Sequence, residues 1–171
     1  SILEHHSVAH DDLVEQLRQL LSMRPEIRRI CWCAVGEIPA EFPTFLANCR
    51  YVVQQLCPTA PPSSITLGYR TPATLGADRL AAVMGAQSLL PHHTVLVIDA
   101  GTCITFDLLL SDGHYLGGNI SPGLEMRLRA MHEFTARLPL VSAEGDNPDY
   151  GYDTITALRS GAKSGIRLEI M

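Results

Sequence analysis

At 171 residues with a formal net charge of −5, the chain can bury one respectable core, or two small ones that share an edge. The acidic balance gives no reason to expect nucleic acid as a partner. No run approaches the roughly 18 consecutive apolar residues of a membrane span, and no basic and then apolar leader opens the chain, so a cytoplasmic protein off the membrane is expected.

The five cysteines (Cys31, Cys33, Cys49, Cys57 and Cys103) are odd in number and follow no framework spacing. Cys31 and Cys33 share one face of an apolar strand and are expected to be small buried hydrophobes. His6 and His10 are four apart, but the histidines do not supply the four convergent ligands of a zinc site. The opening SILEHH has no capping signal and the closing SGAKSGIRLEIM has no terminator, so the sequence is expected to be part of a longer protein.

In chain order, Leu13, Val14, Leu17, Leu20 and Leu21 recur at helical spacing and predict a surface helix over 11–21. A buried strand is expected from Arg29 to Val35, a weak helix over 41–55, and a proline-rich connector from Pro58 to Ser64. Ile65 to Leu67 reads as a short strand, and Thr74 or Gly76 opens a strong helix that Pro91 halts. Thr94 to Ile98 is apolar enough for a strand covered by helices on both faces. Cys103 to Leu110 and Tyr115–Leu116 then flank Ser111-Asp112-Gly113, which predicts a hairpin with a type I′ turn. Ser121 as N-cap and Pro122 at the first helical position predict a helix with Leu124, Leu128 and Met131 on one face. Asp153 or Thr154 caps the last helix, where Ala157, Gly161 and Gly165 form a smooth stripe that another helix can approach closely.

Three constellations carry the candidate chemistry. Asp99-Ala100-Gly101-Thr102 closes an apolar strand: the glycine lets backbone N–H groups approach an oxyanion, and the acid either caps its own turn or holds a cation. Gly76-Ala77-Asp78-Arg79 opens a helix, where Asp78 is either a helix-start acid favoured by the dipole or a base for a hydroxyl attacking a phosphoryl centre. In that chemistry positioning matters more than basicity. Arg79 offers a fork of donors to a substrate carboxylate or to a neighbouring acid. Gly117 to Gly123 leads into a helix N-terminus, either as a cradle for anions or as a plain connector. No Walker A loop, GxGxxG fingerprint or GxSxG elbow occurs, which argues against covalent catalysis.

Taken in series, TPATLGADRLAA, VIDAGTCITFD, GGNISPG, TARLPLV and DTITALRSG resemble the type III pantothenate kinase family of the acetate and sugar kinase, Hsp70 and actin superfamily. The resemblance implies an α/β fold of ribonuclease H-like domains, with mixed sheets flanked by helices and present only in part. Residues 1–72 would be the remainder of the N-terminal domain, and 73–171 the first part of the C-terminal one. It implies ATP-dependent phosphorylation of the primary hydroxyl of pantothenate, with Mg2+ brought by ATP and a potassium or ammonium ion. By the family's motifs, Asp78 would be the general base; Tyr69, Gly76 and Arg79 would contact pantothenate; Asp99 would hold the monovalent cation; and Gly101 and Thr102 would face the ATP phosphates. Thr154 would reach the partner subunit's pantothenate in a homodimer. The family's DxGN motif does not occur before Asp78, so the 171 residues alone are expected to be inactive. The alternative is a non-catalytic ligand-binding or transcriptional accessory protein of the same family.

Overall fold

The structure is a computed structural model that describes residues 4–171. The reading of the chain's first residue therefore lies outside the described residues. After a 3-10 turn at His10–Asp12 come α1 (Leu13–Met23), β1 (Arg29–Trp32), α2 (Glu41–Asn48) and β2 (Val52–Gln55). The two strands pair in parallel, Arg29 with Val52 through Trp32 with Gln55. One face of this pair, carrying Ile30, Trp32 and Val53, packs on Val14 and Leu21 of α1 and on Phe42, Phe45 and Leu46 of α2. Trp32 meets Phe42 edge to face at 5.4 Å.

Here the structure corrects two expectations. Residues 41–55 are not one weak helix, because β2 follows α2 within them. Cys31 and Cys33 are exposed, since only one face of the two-stranded sheet is covered and these alternating residues point to the other.

The larger sheet has the order β3-β6-β5-β4, built from β3 (Thr66–Leu67), β4 (Val95–Ala100), β5 (Cys103–Leu109) and β6 (His114–Pro122). β4, β5 and β6 run antiparallel in series, and β3 joins β6 in parallel, so the sheet is mixed. A 3-10 turn at Pro72–Thr74 leads into α3 (Ala77–Leu89), whose fully buried Leu80 and Val83 pack on Leu109 and Tyr115, with Val95 and Val97 beside them. The opposite face of β4 is open: Leu96 is 57% and Ile98 37% exposed, so this strand is not covered on both faces.

The β5–β6 hairpin forms where Asp112-Gly113 predicts it, with a different turn. Gly113 takes φ 85° while Ser111 and Asp112 keep negative φ, and the Gly113 N–H donates to Leu110 O. This is a β-turn followed by a glycine in the left-handed region, the three-residue hairpin type, and a register shift follows at Leu108/Leu109. β6 also continues through the glycines to Pro122, which pairs with Cys103. Gly117 to Pro122 is thus strand and not a connector, and the cap of α4 (Leu124–Glu133) is Gly123 instead of Ser121.

Leu128 of α4 packs on Val141 and on Leu158 and Ala162 of α5 (Thr154–Ile170), with Leu124 and Met131 alongside. α5 starts with a capping box. The Asp153 carboxylate accepts from Thr156 N–H at 2.8 Å, and Thr156 Oγ1 accepts from Asp153 N–H at 3.2 Å. Of the small stripe, Gly165 faces Arg127 of α4, whereas nothing lies over Gly161. Among the described residues, no helix is long and apolar enough to cross a membrane.

Candidate active site

Asp78 occupies the first turn of α3, and its side chain is exposed. Its Oδ1 accepts the Arg79 N–H at 2.8 Å, which satisfies one of the donors that a helix start leaves free. Gly76 makes this possible. A Cβ there would lie 2.4 Å from Asp78 Oδ1, so glycine gives the carboxylate room to fold back over the helix entrance. The thiol of Cys33, just beyond β1, is exposed but loses part of its hydration, which pushes it up, as does the negative charge of Asp78, so the end of the small sheet lies within electrostatic reach of this carboxylate.

Arg79 points the other way. It is 5% exposed and forms an ion pair with Asp107, itself 1% exposed, in the middle of β5. Nε donates to Asp107 Oδ1 at 3.0 Å and Oδ2 at 3.1 Å, and Nη2 donates to Oδ1 at 2.5 Å. The Tyr115 hydroxyl, from β6, also donates to Oδ1 at 2.5 Å. Burial pushes the Tyr115 phenol well up, and the carboxylate it donates to pushes further in the same direction. Burial opposes the charge on Arg79, but Asp107 more than restores it, so the guanidinium is held above its ordinary range. No buried side-chain nitrogen or oxygen among the described residues lacks a hydrogen-bond partner.

Tyr69 completes this cluster. Its ring stacks on Tyr115 at 6.3 Å between centroids, and the Arg79 guanidinium carbon lies 5.9 Å from its centre. Gly117, at φ 96°, is the seat for that ring, because a Cβ would come within 3.0 Å of Tyr69 Cδ2. The glycine of the third constellation therefore supports Tyr69, which packs on Arg79 of the second.

Asp99 pairs with Thr105 across β4 and β5, and Val97 pairs with Asp107. Asp99 thus lies two residues beyond Val97 on the sheet face that carries Asp107, toward the end where α3 begins. Its side chain is exposed. Gly101 and Thr102 form the hairpin turn between the two strands, with Gly101 N–H donating to Cys103 O. Gly123 closes against this turn: its N–H donates to Thr102 O, and a Cβ on it would lie 2.2 Å from Gly101 O. A network behind the turn holds the pieces together. Arg127 donates from Nε to Pro122 O at 2.7 Å and from Nη2 to Glu169 Oε1 at 2.6 Å, while Ser121 donates to Glu169 Oε2 at 2.6 Å.

The structure brings Tyr69, Gly76, Asp78 and Arg79 into one neighbourhood, with Asp99, Gly101 and Thr102 on the adjoining sheet end. Thr154 stands apart from it, exposed at the start of α5. Asp107 and Tyr115 are the residues that motif reading misses. The available signal was an acid inside the apolar run CITFDLLL, since a buried carboxylate requires a cation or several donors. The groove of 730 Å³ lined by Arg18, Phe45, Asn48, Arg50 and Tyr51 lies between α1 and α2, and none of the site residues lines it.

Comparison with known proteins decides the family. The profile described as Type III pantothenate kinase matches residues 2–171. The chain belongs to the type III pantothenate kinase family. A type III pantothenate kinase of Bacteroides fragilis is 62% identical over 102 residues, 60% of this chain and 42% of that protein. One from Christiangramia forsetii is 38% identical over 169 residues, which is 99% of this chain and 69% of that protein. The chain spans about half the length of several curated relatives it matches, 42% for that of Bacteroides fragilis and 45% for that of Phocaeicola vulgatus. A crystal structure from Campylobacter jejuni, described as that of a "conserved putative Baf family transcriptional activator", superposes with a TM-score of 0.53 at 24% identity. The overlap covers 90% of this chain and 67% of that one, and it supports a shared mixed α/β fold with sheets flanked by helices.

Proposed function

We propose that this chain carries the pantothenate and phosphate side of an ATP-dependent pantothenate kinase. The observation that carries the reading is the exposed Asp78 carboxylate, folded back over the start of α3 beside a buried Arg79–Asp107 pair. The primary hydroxyl of pantothenate attacks the γ-phosphorus of ATP, the bond from that phosphorus to the bridging oxygen breaks, and ADP leaves. Asp78 accepts the hydroxyl proton. Most of the catalytic effect comes from holding the partners in line, as a loose phosphoryl transition state requires. Tyr69, Gly76 and Arg79 line the pantothenate side, and Gly101 and Thr102 present backbone and hydroxyl donors to the phosphates.

The chemistry of the exposed Asp99 carboxylate, an oxygen donor at the head of the Gly101–Thr102 turn, suits a potassium or ammonium ion. When bound, that cation and the Mg2+ carried by ATP offset the negative charge of the polyphosphate. Asp99 would hold that ion at the strand tip, and Thr102 would offer its hydroxyl to the phosphates. In the same reading the chain adopts the ribonuclease H-like fold of the acetate and sugar kinase, Hsp70 and actin superfamily. Residues 1–72 and 73–171 then belong to two ribonuclease H-like halves, and the pairing of β3 with β6 moves the divide between them back from 72 toward the Pro58–Ser64 connector. Thr154 and the open stripe at Ala157 and Gly161 face a second subunit of a cytoplasmic homodimer.

The test is phosphopantothenate formation by the full-length protein in potassium and in sodium buffers, with Asp78→Asn alongside. Product formed by the wild type and lost in the variant supports the kinase. Calorimetric binding of pantothenate or ATP with no product points instead to a ligand-binding or transcriptional accessory protein.

A further inference from the structure

The triad of Arg79, Asp107 and Tyr115 contains the one ion pair buried on both sides among the described residues, and phosphoryl transfer as derived above does not call on Asp107 at all. A buried ion pair of this kind adds little net stability over an apolar pair of similar volume, because both charges lose their hydration. Its value lies in fixed direction. Asp107 takes Nε and Nη2 of Arg79, one edge of the planar guanidinium, and leaves Nη1 outside the pair. The Tyr115 hydroxyl on the same Oδ1 stops the carboxylate from swinging, and Tyr115 is itself fixed by stacking on Tyr69. Arg79 is joined by a single peptide bond to Asp78, so the pair also anchors the turn that carries the proposed base.

We propose that Asp107 is a positioning residue for the pantothenate site, holding Arg79 by one edge so that its other edge and the first turn of α3 stay aimed at the substrate. This rests on the pantothenate kinase reading. Asp107 does not touch substrate: at 1% exposure on the inner face of β5, it acts only through Arg79 and Tyr115. The positioning acts on the vitamin side of the site, because the ATP side is built separately from the Gly101–Thr102 turn and Gly123. Asp107 therefore governs the KM for pantothenate and leaves the KM for ATP alone.

Asp107→Asn keeps the volume and one acceptor but loses the charge, and Arg79→Lys keeps the charge but loses the fork. Steady-state kinetics of the full-length protein, with circular dichroism and melting curves as folding controls, would compare wild type, both variants and the double variant. Losing charge-assisted bonds predicts about a tenfold rise or more in the pantothenate KM for Asp107→Asn, with the ATP KM within about twofold of wild type. Arg79→Lys should match it, and the double variant should be no worse than the poorer single, because both break one contact. If Asp107→Asn fails to fold, Tyr115→Phe retains the ion pair and removes one anchoring bond; a smaller rise in the pantothenate KM alone is then expected. An unchanged pantothenate KM in a folded variant, a loss confined to kcat, or multiplicative effects in the double variant would overturn the proposal. A wild-type protein that makes no phosphopantothenate sinks the kinase reading and this proposal with it, whereas an active wild type with indifferent variants sinks this proposal alone.

Discussion

Asp78 and Arg79 are consecutive in the first turn of α3 and differ in burial: the carboxylate is exposed, and the guanidinium, 5% exposed, is held along one edge by Asp107. Neighbours in a helix diverge by about 100°, so a single turn leaves the Asp78 carboxylate open to a ligand while Asp107 holds the next side chain by one edge and leaves Nη1 of Arg79 outside the pair. The base of the proposed reaction is thus carried on a turn fixed from beneath.

From this arrangement Asp78→Asn should remove the proton acceptor and leave the turn intact, because an amide oxygen still accepts the Arg79 N–H. General-base loss predicts a fall in kcat of about 10²–10⁴-fold with little change in melting temperature. Phosphopantothenate production measured at saturating ATP and pantothenate checks it; wild-type kcat in the variant would remove Asp78 from the mechanism.

Stability should respond in a graded way to the buried triad. Asp107→Ala strands Arg79 without its counter-charge and is expected to cost about 3–5 kcal/mol. Tyr115→Phe removes one donor from a carboxylate that keeps its ion pair, for about 1–2 kcal/mol. For a chain of this size each kcal/mol lowers Tm by about 2–4 °C. Urea melts of both variants give the comparison directly, and equal losses would contradict the ranking.

How much of this was legible in the sequence depended on range. α1, α3, α4 and α5 announce themselves through local periodicity, but of the caps read from the sequence only Asp153, one of two candidates for α5, makes a side-chain cap, and Ser121 lies in β6 while Gly123 caps α4. β2 was hidden because Val52–Gln55 is a short edge pairing with β1, a partner far away in the chain. Gly117 to Pro122 looked like a loop because glycines weaken strand propensity, yet cross-strand pairing with β5 and the close seat of Tyr69 require small residues there. Asp107 was the hardest to read, since its meaning comes from Arg79, a residue on another element.

Gly123 should tolerate no side chain. Its φ of −70° suits any residue, so the constraint is space: a Cβ would stand 2.2 Å from Gly101 O and 2.6 Å from Thr102 O, both backbone atoms. Gly123→Ala must therefore push α4 away from the Gly101–Thr102 turn, an overpacking cost of about 1–3 kcal/mol or more. The functional expectation is a raised KM for ATP with the pantothenate KM little changed, the mirror image of the Asp107 variants. Kinetics with each substrate varied in turn would expose the opposite pattern if it held.

Acid should loosen α5 from both ends at once. Asp153 is held below its ordinary range by the backbone N–H and hydroxyl of Thr156, and Glu169 by Arg127 and then Ser121. A carboxylate whose folded pKa is depressed contributes stability that is complete above its unfolded value, 3.8 for the aspartate and 4.5 for the glutamate, and that fades as pH falls through the lower folded value. Melting curves taken from about pH 6 down to about pH 3 should show wild-type stability declining over that window. The Asp153→Asn/Glu169→Gln variant should start only slightly lower at pH 6, because an asparagine oxygen still accepts the Thr156 N–H and caps the helix while the charge-assisted bonds of Glu169 are weakened, and then decline less steeply, because the two carboxylates that titrate are gone. Parallel wild-type and variant curves would show that these two residues do not carry the acid sensitivity of the helix.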